Sequence, residues 1–384
     1  MTKPSWKASC AFTGRELRQS SPTSQSGRQS FFSRETDGKD TVWENRSGKI
    51  LRNGENPDQR RHASPMKIIE RFSDEGFSPP GNTYPPGTRT FLSIGNFDGI
   101  HKGHQQLLKR LVTLARENQA LATVITFSPH PLEVLFPEKP FLRIMDPSHK
   151  EKILESIGVD ILTVVPFTKE LSKMNPDEFT KNFLNRLFPL VGLIIGENFR
   201  FGHERAGSVS DFKRLLPPLG VSVEVIPPIM ENGSRISSSR IRDLIRAGDV
   251  REAGKLLTRP FQIEGPIIDG ERRGRRIGFP TINILPPQGR ILPPNGVYAT
   301  VTRIQDKIYP GVSYIGSRPT FGQGQIILET HLFDFEGDLY GLMAEVSFIE
   351  HLRGEKSFSG PQELINSIRQ DSEQSRKLLN ELPG

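Results

Sequence analysis

The sequence predicts an α/β protein: a doubly wound, mostly parallel sheet followed by a smaller, mainly antiparallel β-barrel. Two observations predict the first part. Five short apolar runs recur from about residue 88, and helix-like segments separate them, the alternation expected when parallel strands are joined by helical crossovers. A third observation predicts the barrel: after about residue 250 the helical pattern almost vanishes, and apolar β-type runs punctuated by Pro and Gly take over.

The strands of the first part are "TFLSIG" (90–95), "ATVITF" (122–127), "ILTVVPF" (161–167), "VGLIIG" (191–196) and "VSVEVI" (221–226). The segment "NPDEFTKNFLNRLF" reads as a helix: Asn175 can cap it, Pro176 suits its first position and Glu178 completes a capping box. Phe179, Phe183 and Leu187 then repeat at helical spacing. In the second part the strands are "FQIEGPII", "GVYATVTRI", "KIYPGVSYIG", "IILETHLFDF" and "LMAEVSFI", and an amphipathic helix near Pro361–Leu379 closes the chain. These patterns divide the 384 residues into 1–65, 66–252 and 253–384, with the change of rhythm near 250–260.

Charge separates the first 65 residues from the rest. They hold 12 Lys and Arg against 7 Asp and Glu, so of the formal +7 the remainder carries only +2, 39 basic against 37 acidic residues. The segment is rich in Ser, Arg and Gln, shows neither helical nor strand periodicity, and is expected to be disordered because it buries too little apolar surface to offset its ordering entropy. A basic excess confined to a tail, without an aromatic stacking set, argues against a nucleic-acid-binding barrel. Cys10 is the only cysteine, which excludes an intramolecular disulfide and a cysteine-rich metal site and fits a reducing cytoplasm. The sequence holds no apolar run long enough to cross a bilayer and no apolar leader.

The stretch "GNFDGIHKGHQQLL" from Gly95 carries the chemistry of the first part. Gly95 and Gly99 permit a sharp turn, and His101 and His104 then share a face at the start of a helix. Three readings fit: a phosphate site at a helix N-terminus, a zinc site with Asp98, or two surface histidines. Placement at a strand's carboxyl end favours phosphate, because free amides and the helix dipole attract an anion there and imidazoles can donate to it. Zinc lacks a supporting ligand set nearby. "SSSRIR" begins another helix, in which Ser237, Ser238 and Ser239 can cap while Arg240 and Arg242 offer guanidinium donors; a triphosphate clamp and an ordinary capped helix both fit. In the second part "GERRGRRIGFPTIN" is a basic, glycine-bearing loop leading to Thr281 and Asn283, readable as a phosphate loop or as a basic hairpin on RNA. It lacks the spacing of a Walker A loop. Glu329 and His331 share one strand face, and a carboxylate facing a barrel interior or mouth is costly unless used or paired.

"GNFDGIHKGHQ" resembles the HxGH signature of the nucleotidyltransferase superfamily, with its Rossmann-like fold. Its wording is most similar to the bacterial bifunctional riboflavin kinase/FMN adenylyltransferases, the FAD synthetases. The likeness continues through "TFSPHP", "GENFRFGHERAG" and "RISSSRIRDLIRAGDV" and covers roughly residues 88–375. It implies that the second domain phosphorylates riboflavin with ATP and that the first adenylylates the resulting FMN to FAD, with Mg²⁺ as cofactor. It implies His101, His104 and Glu329 as catalytic residues, Glu329 taking the proton of the ribityl 5′-hydroxyl. It implies ATP binding by Gly95, Phe97, Asp98, Gly103, Arg235, Ser238 and Arg242 in the first domain and by Gly274, Gly278, Thr281 and Asn283 in the second, Thr281 and Asn283 also holding the metal. Phe127, Asn198, Tyr340 and Arg353 fall to the flavin, although Phe127 also reads as core and Arg353 as a solvated charge. The chain departs from the family wording at Ser128, Ser239 and Ile282, where Asp, Thr and Ala are usual. Partners are the small-molecule substrates alone, in a cytoplasmic monomer or weak homo-oligomer; the rival reading is an enzyme with one silent domain.

Overall fold

The computed structural model describes residues 43–44, 50–51, 65–69, 84, 86–186, 188–270, 274, 278–317 and 326–381. The chain divides into two compact units, residues 1–54 with Gly384, and residues 55–383. In the first, Trp43–Glu44 pairs antiparallel with Ile50–Leu51; the expectation of disorder over 1–65 otherwise lies outside the described residues.

The second unit opens with a six-stranded parallel sheet. Its strands are β1 (Lys67–Ile69), β2 (Thr90–Ile94), β3 (Leu121–Ser128), β4 (Ile161–Pro166), β5 (Leu190–Gly196) and β6 (Ser222–Ile226), in the order β1-β4-β3-β2-β5-β6. The chain runs outward from β2 through β3 to β4, then returns to the other side of β2, so the order switches there and a ligand crevice is expected beyond its carboxyl end. Alternation along the strands sends Phe91, Val124 and Ile194 to one core cluster with α1 (Lys102–Glu117), and Leu92, Ile125 and Ile195 to another. β1 is an edge strand that the sequence pattern did not show. Asn175 and Glu178 form the expected capping box, but beyond Phe179 the helix runs to Asn185 in π geometry, with Phe179 and Phe183 stacked 5.0 Å apart. Leu187 lies outside the described residues.

Two further helices, α2 (Ser238–Arg246) and α3 (Val250–Leu257), lead through Thr258–Pro260 into a closed antiparallel barrel. Its strands are β7 (Phe261–Ile268), β8 (Ile282–Ile284), β9 (Gly296–Ile304), β10 (Lys307–Ser317), β11 (Ile326–Leu332) and β12 (Met343–Gly354), in the order β7-β8-β11-β10-β9-β12, with β12 pairing back onto β7. Ile241, Ile245, Val250, Leu256 and Leu257 of α2 and α3 share one core with Ile263, Ile284, Tyr298, Leu328 and Phe348 of the barrel. Helix α4 (Pro361–Asn380) lies on the outside, where Leu379 joins Val297, Val312 and Phe333, and the Ser375 hydroxyl donates to the Gly311 carbonyl at 2.8 Å.

Candidate active sites

The first site sits at the switch point. Gly95–Ile100 turns the chain from β2 into α1, with Phe97, Gly99 and Ile100 all at positive φ (47°, 85° and 35°). His101 caps α1: its Nδ1 accepts the His104 backbone N–H at 3.3 Å. An accepting Nδ1 places the proton of the neutral ring on Nε2. The two imidazoles stack, centroids 3.8 Å apart and 14° between planes, and Phe97 meets His104 edge-on at 5.2 Å. Burial pulls His101 down to about 4, helped by the charges of Arg235 and Arg259. Burial, then His101 and Lys150, hold His104 well below the usual histidine range. Both rings are therefore neutral at pH 7. Gly103 gives His101 its place, since a Cβ there would stand 3.3 Å from the ring.

The histidines open into a cavity of about 410 Å³, the size of a small-molecule site. Gly95, Phe97, Asp98, Gly103, Asn198, Arg235, Ser238 and Arg242 line it too, so the structure brings these sequence-predicted residues together. Phe127 is not among the lining residues: it packs on the second core cluster, edge-on to Phe167 at 5.6 Å. Three of the others are engaged with one another. Asp98, 5 % exposed, accepts from the Ile144 N–H at 3.0 Å and from the Arg242 guanidinium. Arg242 also donates to the Leu142 carbonyl at 2.9 Å and lies over Phe141 at 4.7 Å, while the Ser238 hydroxyl donates to the Asp98 carbonyl at 2.8 Å. These contacts tie the start of α2 to the histidine loop, and Ser237 supplies the helix cap itself. Sequence reading missed His130, which lines the cavity, stacks on Phe141 at 3.7 Å and is pulled by burial and by Arg242 down to about 3. Its place directly after β3 was the available signal.

The second site is built on β8, β10 and β11. Asn283 pairs with Glu329, and Glu329 with Tyr314, so register puts all three side chains on one sheet face. Leu328 and Thr330, flanking Glu329, are fully buried inside, Thr330 sharing a hydrogen bond with Ser313 at 2.8 Å. Glu329 therefore stands on the barrel's outer face and not in its interior; strand parity decides it. Glycines bring the preceding loop close. A Cβ on Gly270 would stand 2.0 Å from the Asn283 amide, and one on Gly274 would stand 2.2 Å from the Phe279 carbonyl oxygen and 3.3 Å from the Thr281 hydroxyl. Phe279 N–H donates back to the Gly274 carbonyl at 2.9 Å, and Gly278 has φ 85°. Residues 271–273 and 275–277, including the loop arginines, lie outside the described residues. Gly270 was missed because its use depends on where the Asn283 side chain goes.

Thr281 and Tyr340 line a neighbouring cavity of about 190 Å³ at the barrel end, with Ile282, Thr330, Phe335 and Asp338. Arg353 is elsewhere. Its guanidinium donates to Asp371 of α4 at 3.0 and 2.9 Å and to the Gly354 carbonyl, and it lies 5.7 Å from the Phe358 ring centroid. It is neither a solvated charge nor directed at either cavity. Among the described residues no group of three or more His, Cys, Asp or Glu could hold a metal ion, and no helix is long and apolar enough to cross a membrane.

The family model for FAD synthetase matches residues 86–240, and that for riboflavin kinase matches residues 257–379. The chain is 35 % identical over 293 residues to the bifunctional riboflavin kinase/FMN adenylyltransferase of Buchnera aphidicola, covering 75 % of this chain and 94 % of that one. It is 32 % identical over 298 residues to the Bacillus subtilis protein of the same name, covering 77 % and 94 %. A crystal structure from Streptococcus pneumoniae, described as a macrolide-efflux protein, superposes with a TM-score of 0.73 at 29 % identity over 81 % of this chain and 99 % of that one. With a parallel-sheet region matching the first model and a closed barrel matching the second, the chain belongs to the bifunctional riboflavin kinase/FMN adenylyltransferase family.

Proposed function

We propose that residues 253–384 convert riboflavin and ATP to FMN and ADP, and that residues 66–252 join FMN to the AMP moiety of a second ATP. The division falls between the two family matches. The observation that carries the adenylylation reading is the neutral, stacked His101–His104 pair at the mouth of α1, open to a cavity that Arg235 also lines. An FMN phosphate oxygen attacks the α-phosphorus of ATP, the bond from that phosphorus to the bridging oxygen breaks, and pyrophosphate leaves. The nucleophile is already ionised, so the site needs no strong base. His101 Nε2–H donates to the α-phosphate oxygens as charge builds there, and the amides at the α1 N-terminus add to it. Asp98, Ser238 and Arg242 act by holding the loop that carries the histidines. Asn198 and Arg235, at the cavity wall, contact FMN and the ATP phosphates; Phe127 supports the wall from behind.

In the barrel, Glu329 accepts the proton of the ribityl 5′-hydroxyl as that oxygen attacks the γ-phosphorus, and ADP departs. Gly274 and Gly278 let backbone amides approach the phosphates. Asn283, in register with Glu329, and Thr281 two residues before it offer oxygen donors. That set suits Mg²⁺, which takes few protein ligands and completes its shell with phosphate and water; when bound, it neutralises phosphate charge. Tyr340 borders the flavin, and Arg353 fixes α4 against the barrel. No nucleic acid or membrane takes part, in a cytoplasmic monomer or weak homo-oligomer; the near-neutral charge outside residues 1–65 supports the first and the lone Cys10 a reducing compartment.

The test is to incubate the purified protein with riboflavin, ATP and Mg²⁺ and to separate the flavins over time. FMN first and FAD second is the expected result. FMN alone refutes the adenylylation reading, and no conversion of either riboflavin or FMN refutes both.

A further inference from the structure

Ile100 stands at φ 35° immediately before His101. A β-branched residue there is a genuine outlier, and such a conformation persists only where its surroundings over-determine it. The surroundings come largely from the turn that leads into the barrel. Arg259 Nη2 donates to the Gly99 carbonyl at 2.8 Å; Arg259 Nη1 donates to the Leu257 carbonyl at 2.9 Å and to the Ile100 carbonyl at 3.4 Å. The Gln105 side-chain amide adds donors to the Ile100 carbonyl at 3.0 Å and to the Thr258 hydroxyl at 2.6 Å. Gly99 presses on the same turn, since a Cβ there would stand 3.2 Å from Leu257. Arg259 does not line the cavity. Burial pulls its guanidinium down to about 10, so at pH 7 it is a charged, buried fork whose donors are aimed at backbone carbonyls.

We propose that Arg259 is a positioning residue for adenylyl transfer: by clamping the Gly99 and Ile100 carbonyls it holds His101 and His104 stacked at the mouth of α1. The turn between α3 and the barrel is then a working part of the N-terminal site. This rests on the reading of that site given above. A fork with two arms suits the task where an ammonium does not, because Arg reaches two carbonyls in a fixed geometry. Loss of the clamp lets the loop relax and moves the histidines, and displacements of about 1 Å at a reacting centre cost on the order of 100-fold in rate.

The test uses the full chain and measures both activities on each preparation. In R259A the kcat of FAD formation from FMN and ATP is expected to fall roughly 10- to 100-fold, with both KM values within about threefold and riboflavin phosphorylation within about twofold. Ethylguanidinium added to R259A restores part of the FAD rate. R259K keeps charge and bulk but not the fork, so it shows the same split to a smaller depth and carries the test if R259A fails to fold. FAD formation within twofold of wild type in both variants overturns the proposal, as does a parallel fall in both activities. Absence of FAD formation by the wild-type chain strikes the reading of the site instead.

Discussion

At pH 7 the His101 ring donates only through Nε2, because Nδ1 already accepts from the His104 amide. On the proposed function one side chain is then both the cap and a donor to the reacting phosphate, and the two roles can be separated. His101→Ala removes both, and removing a donor of this kind costs about 100-fold or more in rate; FAD formation should fall that far while FMN formation stays within about twofold. His101→Asn keeps the cap, since Asn is among the best N-cap residues, so its Tm should stay near wild type although FAD formation is lost. Glu329→Ala should do the reverse: FMN formation falls, while FAD formation from supplied FMN persists. Equal loss of both activities in the His101 or Glu329 variants would refute the two-site assignment. Gly270→Ala tests the loop beside Asn283, where a methyl group has no room; FMN formation from riboflavin should drop with FAD formation from FMN unchanged. At this scale the grouping of Gly95, Phe97, Asp98, His101, Gly103 and His104 at one cavity was legible because they are close in sequence. The commitment of Ser238 and Arg242 to Asp98 was not, because those partners lie 140 and 144 residues away in the chain.

Strands and helices were legible wherever periodicity was clean. The five runs that form β2 to β6 and the long strands of the barrel show it, and α4 ends within one residue of the expected position. β1 and β8 escaped because three residues cannot establish a period, and the π geometry after Phe179 escaped because capping and apolar spacing read alike for both helix types. The facing of Glu329 needed parity against Leu328 and Thr330, which only the paired strands fix. α4 is held to the barrel by the Arg353–Asp371 pair, with Asp371 7 % exposed. Arg353→Ala leaves that carboxylate buried without its guanidinium, a loss of about 3 kcal/mol. Thermal unfolding should show a lower Tm, and FMN formation should become heat-labile before FAD formation does. An unchanged Tm would mean that the ion pair adds nothing to docking of the helix.

For the whole molecule, four histidines set an acid limit. Burial is the leading cause in each: His101 is lowered to about 4, His130 and His149 to about 3, and His104 well below the usual range. Their folded values lie below the unfolded value near 6.5, so below that pH the unfolded chain binds more protons and stability falls as pH falls. For His101 alone the loss between about 6.5 and about 4 is on the order of 3 kcal/mol. Denaturant midpoints should therefore hold steady from pH 8 to 7 and decline steadily from about 6.5 downward; a flat profile to pH 5 would contradict the buried, neutral assignments. The two-part architecture was legible from the change of rhythm near residue 250, but the shared core of α2, α3 and barrel was not, since an amphipathic helix does not name the surface it covers. That shared core bears on how the chain is made. β12 is the last strand, and it closes the barrel by meeting β7, Phe261 against Phe348. Until it has emerged from the ribosome, the apolar faces of α2 and α3 have no finished barrel to lie against, and such uncovered surface invites aggregation and proteolysis. A chain cut short before residue 343 keeps every motif residue of its first site yet loses Ala344, Val346 and Phe348 from the wall that two of its helices meet, so damage near the C-terminus should reach a part of the enzyme made long before it.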